Sequence, residues 1–461
     1  MPSRWIAALL AAGLSAGCRS PLESTRRYPL DHIRPPGAEH APPSAFRQAD
    51  DTAVFTEPVD PEGFVRYALL QNPGIEAAYQ RWVAAVERLP QVSALPDPRL
   101  TLAFFLDEVE TRTGAQQARV GIQQRFPWPG LLERRKDAAA LEAVAAWYEF
   151  ESERLDVTER VLSAMHDLAA LDRIIAITTE NRDLLASFED VLRARYRVGA
   201  GSHPELIRVQ VELGQIEDRL EKLRATRPVY VAELNAAMNR PASTHVDPFD
   251  PPPGRVLDAD ADQLAHIARQ SNPTLLAMDQ RAERQLALED VAKKEGMPDF
   301  AVGLDTIITN EAGSPVPESG DDPVLLTFGV DIPLWRDKYD AAVRQAVAAR
   351  LAIARERDEK ANAIAAAVHR AWFEHTDADR RVRLYENTLI PKARESLRAS
   401  LASFRTGEST FLDLLDTERT LLEFDITVER ARADRGKALA RLNTLTGGEI
   451  PGDPAQMGAE Q

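Results

Sequence analysis

Several features are scarce in this chain of 461 residues. A single cysteine, Cys18, means that no disulfide can form within the chain. The apolar run at residues 5–14 is too short to cross a bilayer as a helix. Basic residues are outnumbered, and the net charge of −16 argues against a nucleic acid or an anionic membrane surface as the partner. Aromatic residues make up only 6%, and the abundance of Ala, Leu, Arg and Glu is typical of long helices.

The first 58 residues are predicted to precede the folded part. Residues 1–17 have the basic start, apolar run and small residues of a secretory signal peptide. The sequence that ends at Cys18 resembles a bacterial lipoprotein cleavage site, so we expect Cys18 to be lipidated; an unmodified cysteine beside an ordinary cleavage site is the alternative. Residues 18–58 and 448–461 are rich in proline, charge and small residues, which predicts an extended linker and a flexible tail.

One stretch occurs twice, 208 residues apart. Each copy has an aromatic residue, an arginine, a glycine, and a hydroxyl residue three positions after the glycine. The matching residues are Tyr196, Gly199 and Ser202 in the first copy and Phe404, Gly407 and Thr410 in the second. A match at this separation indicates duplicated domains rather than a short solenoid repeat. We predict two repeats, at residues 59–246 and 259–447, joined by a linker at 247–258.

Each repeat is predicted to begin with two short helices and a β-hairpin. Asn72 and Asn272 each precede a proline, a pattern that caps a new helix. Apolar residues then alternate in two segments of each repeat, as in half-buried strands of about nine residues. The predicted strands are 99–106, 118–126, 300–308 and 324–332.

A charged, alanine-rich helical pattern follows each hairpin. At 1.5 Å per residue, each helix would be roughly 75–80 Å long, which exceeds the helices of compact domains. Pro391 suits the first turn of a new helix, and a polar segment at residues 181–183 lies at the equivalent place in the first repeat. We therefore expect the tips of two helical hairpins there, with Gly199 and Gly407 interrupting the returning helices.

Four strands are too few to close a barrel, and an open sheet leaves unpaired edges. Three copies of the chain would supply twelve strands and leave a lumen, whereas an eight-stranded barrel is filled by its side chains. Strands of about nine residues can cross a bilayer at a tilt. The pattern predicts a mainly α-helical protein with a small β part, whose trimer forms a twelve-stranded membrane barrel continued by long coiled-coil helical hairpins. A soluble sheet that caps a coiled-coil stalk is the alternative.

The duplicated order of short helices, strand pair, long helical hairpin and glycine break resembles the TolC-type outer-membrane efflux factors, over about residues 60–447. The resemblance implies a homotrimer with a twelve-stranded β-barrel in the outer membrane and an α-helical tunnel in the periplasm. It also implies an exit duct for a tripartite pump, with a periplasmic adaptor (membrane fusion protein) and an inner-membrane transporter as partners. It implies neither enzyme activity nor a cofactor.

The resemblance further implies a closable tunnel end, where acidic side chains project inward about nine residues before the glycine. Asp190, beside Glu189, holds that position in the first repeat, and Arg398 holds it in the second. We expect a gate there, with Asp190 and Arg398 paired between neighbouring hairpins; ordinary surface charges are the alternative. The hairpin tips are expected to contact the adaptor. The residues assigned to the tips are Asn181, Arg182, Asp183, Pro391 and Lys392.

Neither a catalytic nor a metal site is expected. His166, His369 and His375 lie on predicted long helices without the spacing of metal ligands. The junction at residues 126–130 is followed by a basic helix start. In this it resembles the members of the family that serve heavy-metal and cation pumps of the resistance–nodulation–division type. We therefore expect heavy-metal cations as cargo. A multidrug pump, a type I protein-secretion conduit and, in a different class, a periplasmic coiled-coil adaptor or structural protein are the alternatives.

Overall fold

A computed structural model of the chain describes residues 61–450, except 200, 253, 255–256, 314–316, 407 and 449. The signal peptide, Cys18, the whole first linker, Gly407 and most of the tail therefore lie outside the described residues. The first series of elements is α1 (Pro61–Gln71), α2 (Pro73–Val86), α3 (Arg88–Ser93), β1 (Arg99–Thr111), β2 (Gly114–Phe126), α4 (Leu131–Arg197) and α5 (His203–Ala237). The second is α6 (Ala261–Ser271), α7 (Pro273–Glu295), β3 (Asp299–Thr309), β4 (Val324–Asp331), α8 (Arg336–Leu384), a π-helical turn (Tyr385–Leu389), α9 (Ile390–Thr406) and α10 (Phe411–Leu445).

The second short helix of each repeat begins at the predicted asparagine cap. The Asn72 side-chain oxygen accepts a hydrogen bond from the Gly74 amide at 2.8 Å, and its side-chain nitrogen donates to the Ala237 carbonyl at 3.0 Å. Asn272 is bonded in the same way, and its side-chain nitrogen reaches the Leu445 carbonyl at 3.0 Å. Each asparagine therefore caps one helix and binds the end of the long returning helix of its own repeat.

The four strands form one antiparallel sheet in the order β1-β2-β3-β4, so the pairing of β2 with β3 joins the two repeats. The strand positions are as predicted, but β1 and β2 are each 13 residues long. The predicted end of the first strand at residue 106 and the predicted start of the second at residue 118 are therefore wrong. Pairing of Val109 with Gln116 continues the ladder beyond a register shift, and only Arg112 and Thr113 lie between the strands.

The hairpin tip expected at Asn181, Arg182 and Asp183 is also wrong. These residues lie within α4, which runs unbroken for 67 residues and is roughly 100 Å long. Arg182 donates to the Asp183 carboxylate at 2.6 Å, so these polar side chains pair with each other and the backbone stays helical. A polar composition alone does not end a helix when no glycine or proline interrupts it.

The tip expected at Pro391 and Lys392 is wrong for a different reason. A proline in a helix lacks an amide hydrogen and crowds the carbonyl four residues before it. Here the helix widens into a π turn just before Pro391, where the Ile390 amide donates to the Tyr385 carbonyl five residues back. The helical path therefore continues from α8 through the π turn into α9.

The hairpins reverse instead at the repeated glycine motif. Gly199 has a φ of +74°, and Ser202 begins α5 with a capping box that includes Glu205. In the second repeat, Thr410 begins α10 with an equivalent box that includes Asp413. The helix end and new cap predicted at these motifs are thus correct, but each motif is the hairpin tip and not a break within the returning helix.

The long helices pack along their length, with α4 against α2, α5, α7 and α10, and α8 against α7 and α10. A cluster around Trp82 and Trp147 fills the first repeat, with ring centroids 5.0 Å apart. Near the tips, Phe188, Phe404 and Phe411 join both hairpins in another cluster. Among the helices of the described residues, none is both long and apolar enough to cross a membrane.

The tip position can be tested with two glycines of the first hairpin. A Cβ at either Gly199 or Gly214 would meet nothing within 4 Å, so only the backbone conformation differs. Gly199→Ala should cost about 1 kcal/mol, because an L-residue is strained at positive φ. Gly214→Ala, inside α5, should gain about 1 kcal/mol of helix propensity. Thermal unfolding of the purified protein in detergent should shift in opposite directions; a higher Tm for both variants would contradict a tip at Gly199.

Candidate channel surfaces

One face of the sheet is apolar and exposed. Cross-strand pairing places Leu100, Ile122, Leu304 and Leu326 in a single row across all four strands. These side chains are 55%, 52%, 52% and 62% exposed. Contiguous apolar surface of this kind is rare on a monomeric soluble protein and marks a surface that meets a partner or a membrane.

The opposite face of the sheet carries the charged side chains and several small residues, together with Ile307 and Leu325. The Arg119 Nε donates to Asp305 Oδ1 at 3.1 Å, and the Thr327 hydroxyl donates to Asp305 Oδ2 at 3.3 Å. Arg125 pairs with Asp299 at 2.7 Å. A Cβ at Gly121 would lie 2.1 Å from Asp305 Oδ1, so glycine at this position makes room for the carboxylate. The strands thus alternate between an apolar face and a polar face.

The two outer strands of the sheet are available for further pairing. In the described chain, β1 pairs with β2 and β4 pairs with β3, so each outer strand has one edge open. Such edges present backbone donors and acceptors that another strand can satisfy. The sheet is therefore suited to continue into sheets of neighbouring chains.

The tips of the two hairpins contact each other through aromatic and cationic side chains. The Arg195 guanidinium lies 4.9 Å from the Phe404 ring centroid, and the Tyr196 ring lies 5.6 Å from His203 across the first tip. Phe404 in turn packs against Phe411, with ring centroids 5.9 Å apart. The motif residues therefore form the end of the helical bundle.

The expected gate residues lie on the outgoing helices α4 and α9, and not on the returning helices as expected. Asp190 and Arg398 are exposed, each about two and a half helical turns before a tip. Within this single chain, the described ion pairs do not include one between them. Glu189 instead accepts from Gln210 at 2.9 Å and from Arg193, and these bonds lower the pKa of its carboxyl group. A gate at these residues stays a prediction.

The residues first assigned to the tips lie within the outgoing helices, several turns before the observed tips. Arg182 and Asp183 pair on α4, while Pro391 and Lys392 are exposed on α9. Asn181 is half-buried and faces a cavity between helices.

Sequence reasoning missed a buried charged group between the returning helices. The Arg419 Nε donates to Glu212 Oε1 at 2.8 Å, and this pair links α10 to α5. The neighbouring Glu418 is 2% exposed. The available signal was its spacing, because Glu418 lies four residues after Leu414 and four before Leu422, where an amphipathic helix places core residues.

Several known proteins are similar to this chain in sequence. Residues 264–448 match the family model described as outer membrane efflux protein. The cobalt-zinc-cadmium resistance protein CzcC of Cupriavidus metallidurans is 22% identical over 374 residues, covering 79% of this chain and 84% of that protein. Nodulation protein T of Rhizobium leguminosarum bv. trifolii is 23% identical over 409 residues, covering 83% of this chain and 84% of that protein.

The likeness extends to the three-dimensional structure. The outer-membrane channel OprN superposes with a TM-score of 0.71 at 15% identity, covering 85% of this chain and 90% of OprN. The match includes both the small antiparallel sheet and the long helices. The second repeat of the chain thus matches the outer membrane efflux protein family, and most of the chain is similar in fold to outer-membrane channels.

Proposed function

We propose that three copies of this chain form a twelve-stranded barrel in the bacterial outer membrane, continued by an α-helical tunnel in the periplasm. The observation that carries the proposal is the exposed row of Leu100, Ile122, Leu304 and Leu326, with the charged face behind it and an open edge on either side. A closed barrel uses all three features, because it places apolar side chains against lipid, polar side chains in the lumen, and leaves no edge unpaired.

Three copies suit the polar face better than two. An eight-stranded barrel has an interior that side chains fill. The Arg119–Asp305 pair and the Arg125–Asp299 pair need space and water, and a twelve-stranded barrel provides a lumen for them. We propose that each chain is anchored by a lipid at Cys18 and acts as a duct without enzyme activity. The likeness to outer-membrane channels supports the duct over the periplasmic adaptor alternative.

The barrel can be tested with adjacent residues of β1. Leu102 lies on the apolar face, while Thr101 pairs with Gly121 on the polar face. Leu102→Arg should cost about 2–4 kcal/mol of insertion energy, because it places a charge in lipid, whereas Thr101→Arg should point into a wet lumen and be tolerated. The measurement is the amount of heat-modifiable trimer in outer-membrane fractions. Equal yields of the two variants would contradict a lipid-facing row.

We propose that the duct receives its cargo from a periplasmic adaptor and an inner-membrane transporter, of the resistance–nodulation–division type, at the hairpin tips. The tips proposed for this contact are those at Tyr196–Ser202 and Phe404–Thr410, apart from the undescribed residues between them. Their Arg195–Phe404 contact supports a bundle end at which both hairpins meet and can be engaged together.

We also propose that Glu189, Asp190 and Arg398 border the narrow end of the tunnel, as the resemblance implies. A charge at the narrowest point of a pore has the largest effect on ion selectivity. Asp190→Ala should therefore lower the preference of reconstituted trimers for cations and change single-channel conductance by roughly twofold. The control is Asp218→Ala, which removes an equally exposed carboxylate from the middle of α5. Unchanged conductance in Asp190→Ala would remove Asp190 from the gate.

We propose heavy-metal cations as the cargo of the pump. The similarity to CzcC, whose name states cobalt, zinc and cadmium resistance, supports this proposal, as does the junction at residues 126–130. A deletion strain should lose tolerance to these three metals, and the intact gene should restore it. Growth should be measured in parallel with hydrophobic drugs. Loss of drug tolerance alone would favour the multidrug alternative, and loss of an exported protein would favour a secretion conduit.

A further inference from the structure

A cavity of about 470 Å³ lies between α4, α9 and α10. Its walls include the apolar side chains of Ile177 and Leu184 from α4, Leu397 from α9 and Leu422 from α10. Glu418 lines the same cavity. The volume falls in the range of sites that bind small organic molecules. About half of the lining residues are charged or polar, so the cavity offers both apolar contact and charge.

Glu418 is a buried polar group without a hydrogen-bond partner. It is 2% exposed, and both of its carboxyl oxygens are inaccessible to solvent and unbonded. The side-chain oxygen of Asn181, which lines the same cavity, is likewise buried and unbonded. Buried polar atoms in native proteins are nearly always satisfied, so these acceptors call for a donor.

The first repeat has a different pair of residues at the positions equivalent to Glu418 and Leu397. At the position equivalent to Glu418 it has Gln210, whose amide donates to Glu189 at 2.9 Å. The second repeat has Leu397 at the position equivalent to Glu189. The second repeat thus has the Glu418 carboxyl group where the first has an amide, and the apolar Leu397 where the first has the carboxylate of Glu189.

Three cationic side chains around the cavity, those of Arg419, Arg394 and Arg432, are already bound by other carboxylates. Arg419 donates to Glu212 of α5, and Arg394 of α9 lies 3.6 Å from Asp425 of α10. Arg432 binds Glu386 of the π turn at 3.0 Å and also binds Glu429. On α4, Arg173 and Glu180 are exposed at the edge of the cavity. An ionised Glu418 therefore has only the nearby Arg419, which already binds Glu212.

Burial, with a further contribution from Glu212, raises the pKa of Glu418 to about 7. The folded protein thus holds a proton at this carboxyl group at pH values where an exposed glutamate would have lost it. A bound cation would favour the ionised form, so cation binding and proton release should be linked.

We propose that this cavity binds a small organic cation: the Glu418 side chain turns its covered carboxyl group toward the cavity and accepts from the ammonium group, while the hydrocarbon part lies against the apolar walls. The ammonium group supplies the missing donors and the missing positive charge together. The hydrocarbon part uses the remaining volume, which a lone metal ion would leave unfilled. The proposal does not depend on the duct proposed above.

The test uses the full-length protein in detergent with benzylamine as the probe, titrated by calorimetry. Saturable binding is expected, with affinity falling roughly tenfold from pH 8 to pH 6, because the proton competes below the pKa of about 7. Titration in two buffers of different ionisation enthalpy should show proton release. Benzyl alcohol, which has the same ring without the charge, should bind much more weakly.

Two variants and one control test whether benzylamine binding depends on the Glu418 carboxyl group. Glu418→Gln reproduces the side chain at Gln210 and should weaken benzylamine binding at least roughly tenfold. Leu397→Gln keeps the carboxyl group but offers it an amide donor, and should weaken binding too, so the test survives if one variant fails to fold. Glu217→Gln, exposed on α5, should bind as the unchanged protein does. The proposal would be overturned if all variants bound benzylamine with equal affinity, or if benzyl alcohol bound as tightly as benzylamine. It would also be overturned if calcium chloride, but not benzylamine, bound at Glu418.

Discussion

The exposed apolar face of the four-stranded sheet is the constraint on which the rest of the structure depends. The helices do not cover this face, so they must leave the sheet from its end. The antiparallel order makes this possible. The starts of β1 and β3 and the ends of β2 and β4 all lie at the same end of the sheet, measured along the strands. All four helical connections therefore extend in one direction, and the molecule is elongated. An exposed apolar sheet face and a long helical bundle are two results of the same arrangement.

Local chemistry allowed much of this fold to be predicted. The asparagine caps at Asn72 and Asn272 and the boxes at Ser202 and Thr410 each depend on a side chain that bonds to its own backbone. Such signals are contained in a few neighbouring residues. The alternation of apolar residues fixed the strands in the same way, since each face of the sheet has one environment.

The errors arose where the outcome depends on contacts far away in sequence. The polar residues around Asn181 resemble a turn, but the α4 helix continues because it packs along its whole length against other helices. Pro391 resembles a helix start, but a π turn accommodates it. The buried Glu418 was detectable only as an acidic residue at core spacing.

The π turn also affects how the duplicated hairpins compare. One residue added to an α-helix rotates everything beyond it by about 100°, which would turn its apolar side away from its neighbour. A π turn holds an additional residue within a single turn, so the segments on either side keep their orientation. The outgoing helical path of the second repeat, from Arg336 to Thr406, is slightly longer than that of the first, from Leu131 to Arg197. The two paths have 71 and 67 residues, and the π turn at Tyr385–Leu389 holds one of the four additional residues while the helix keeps its packed face.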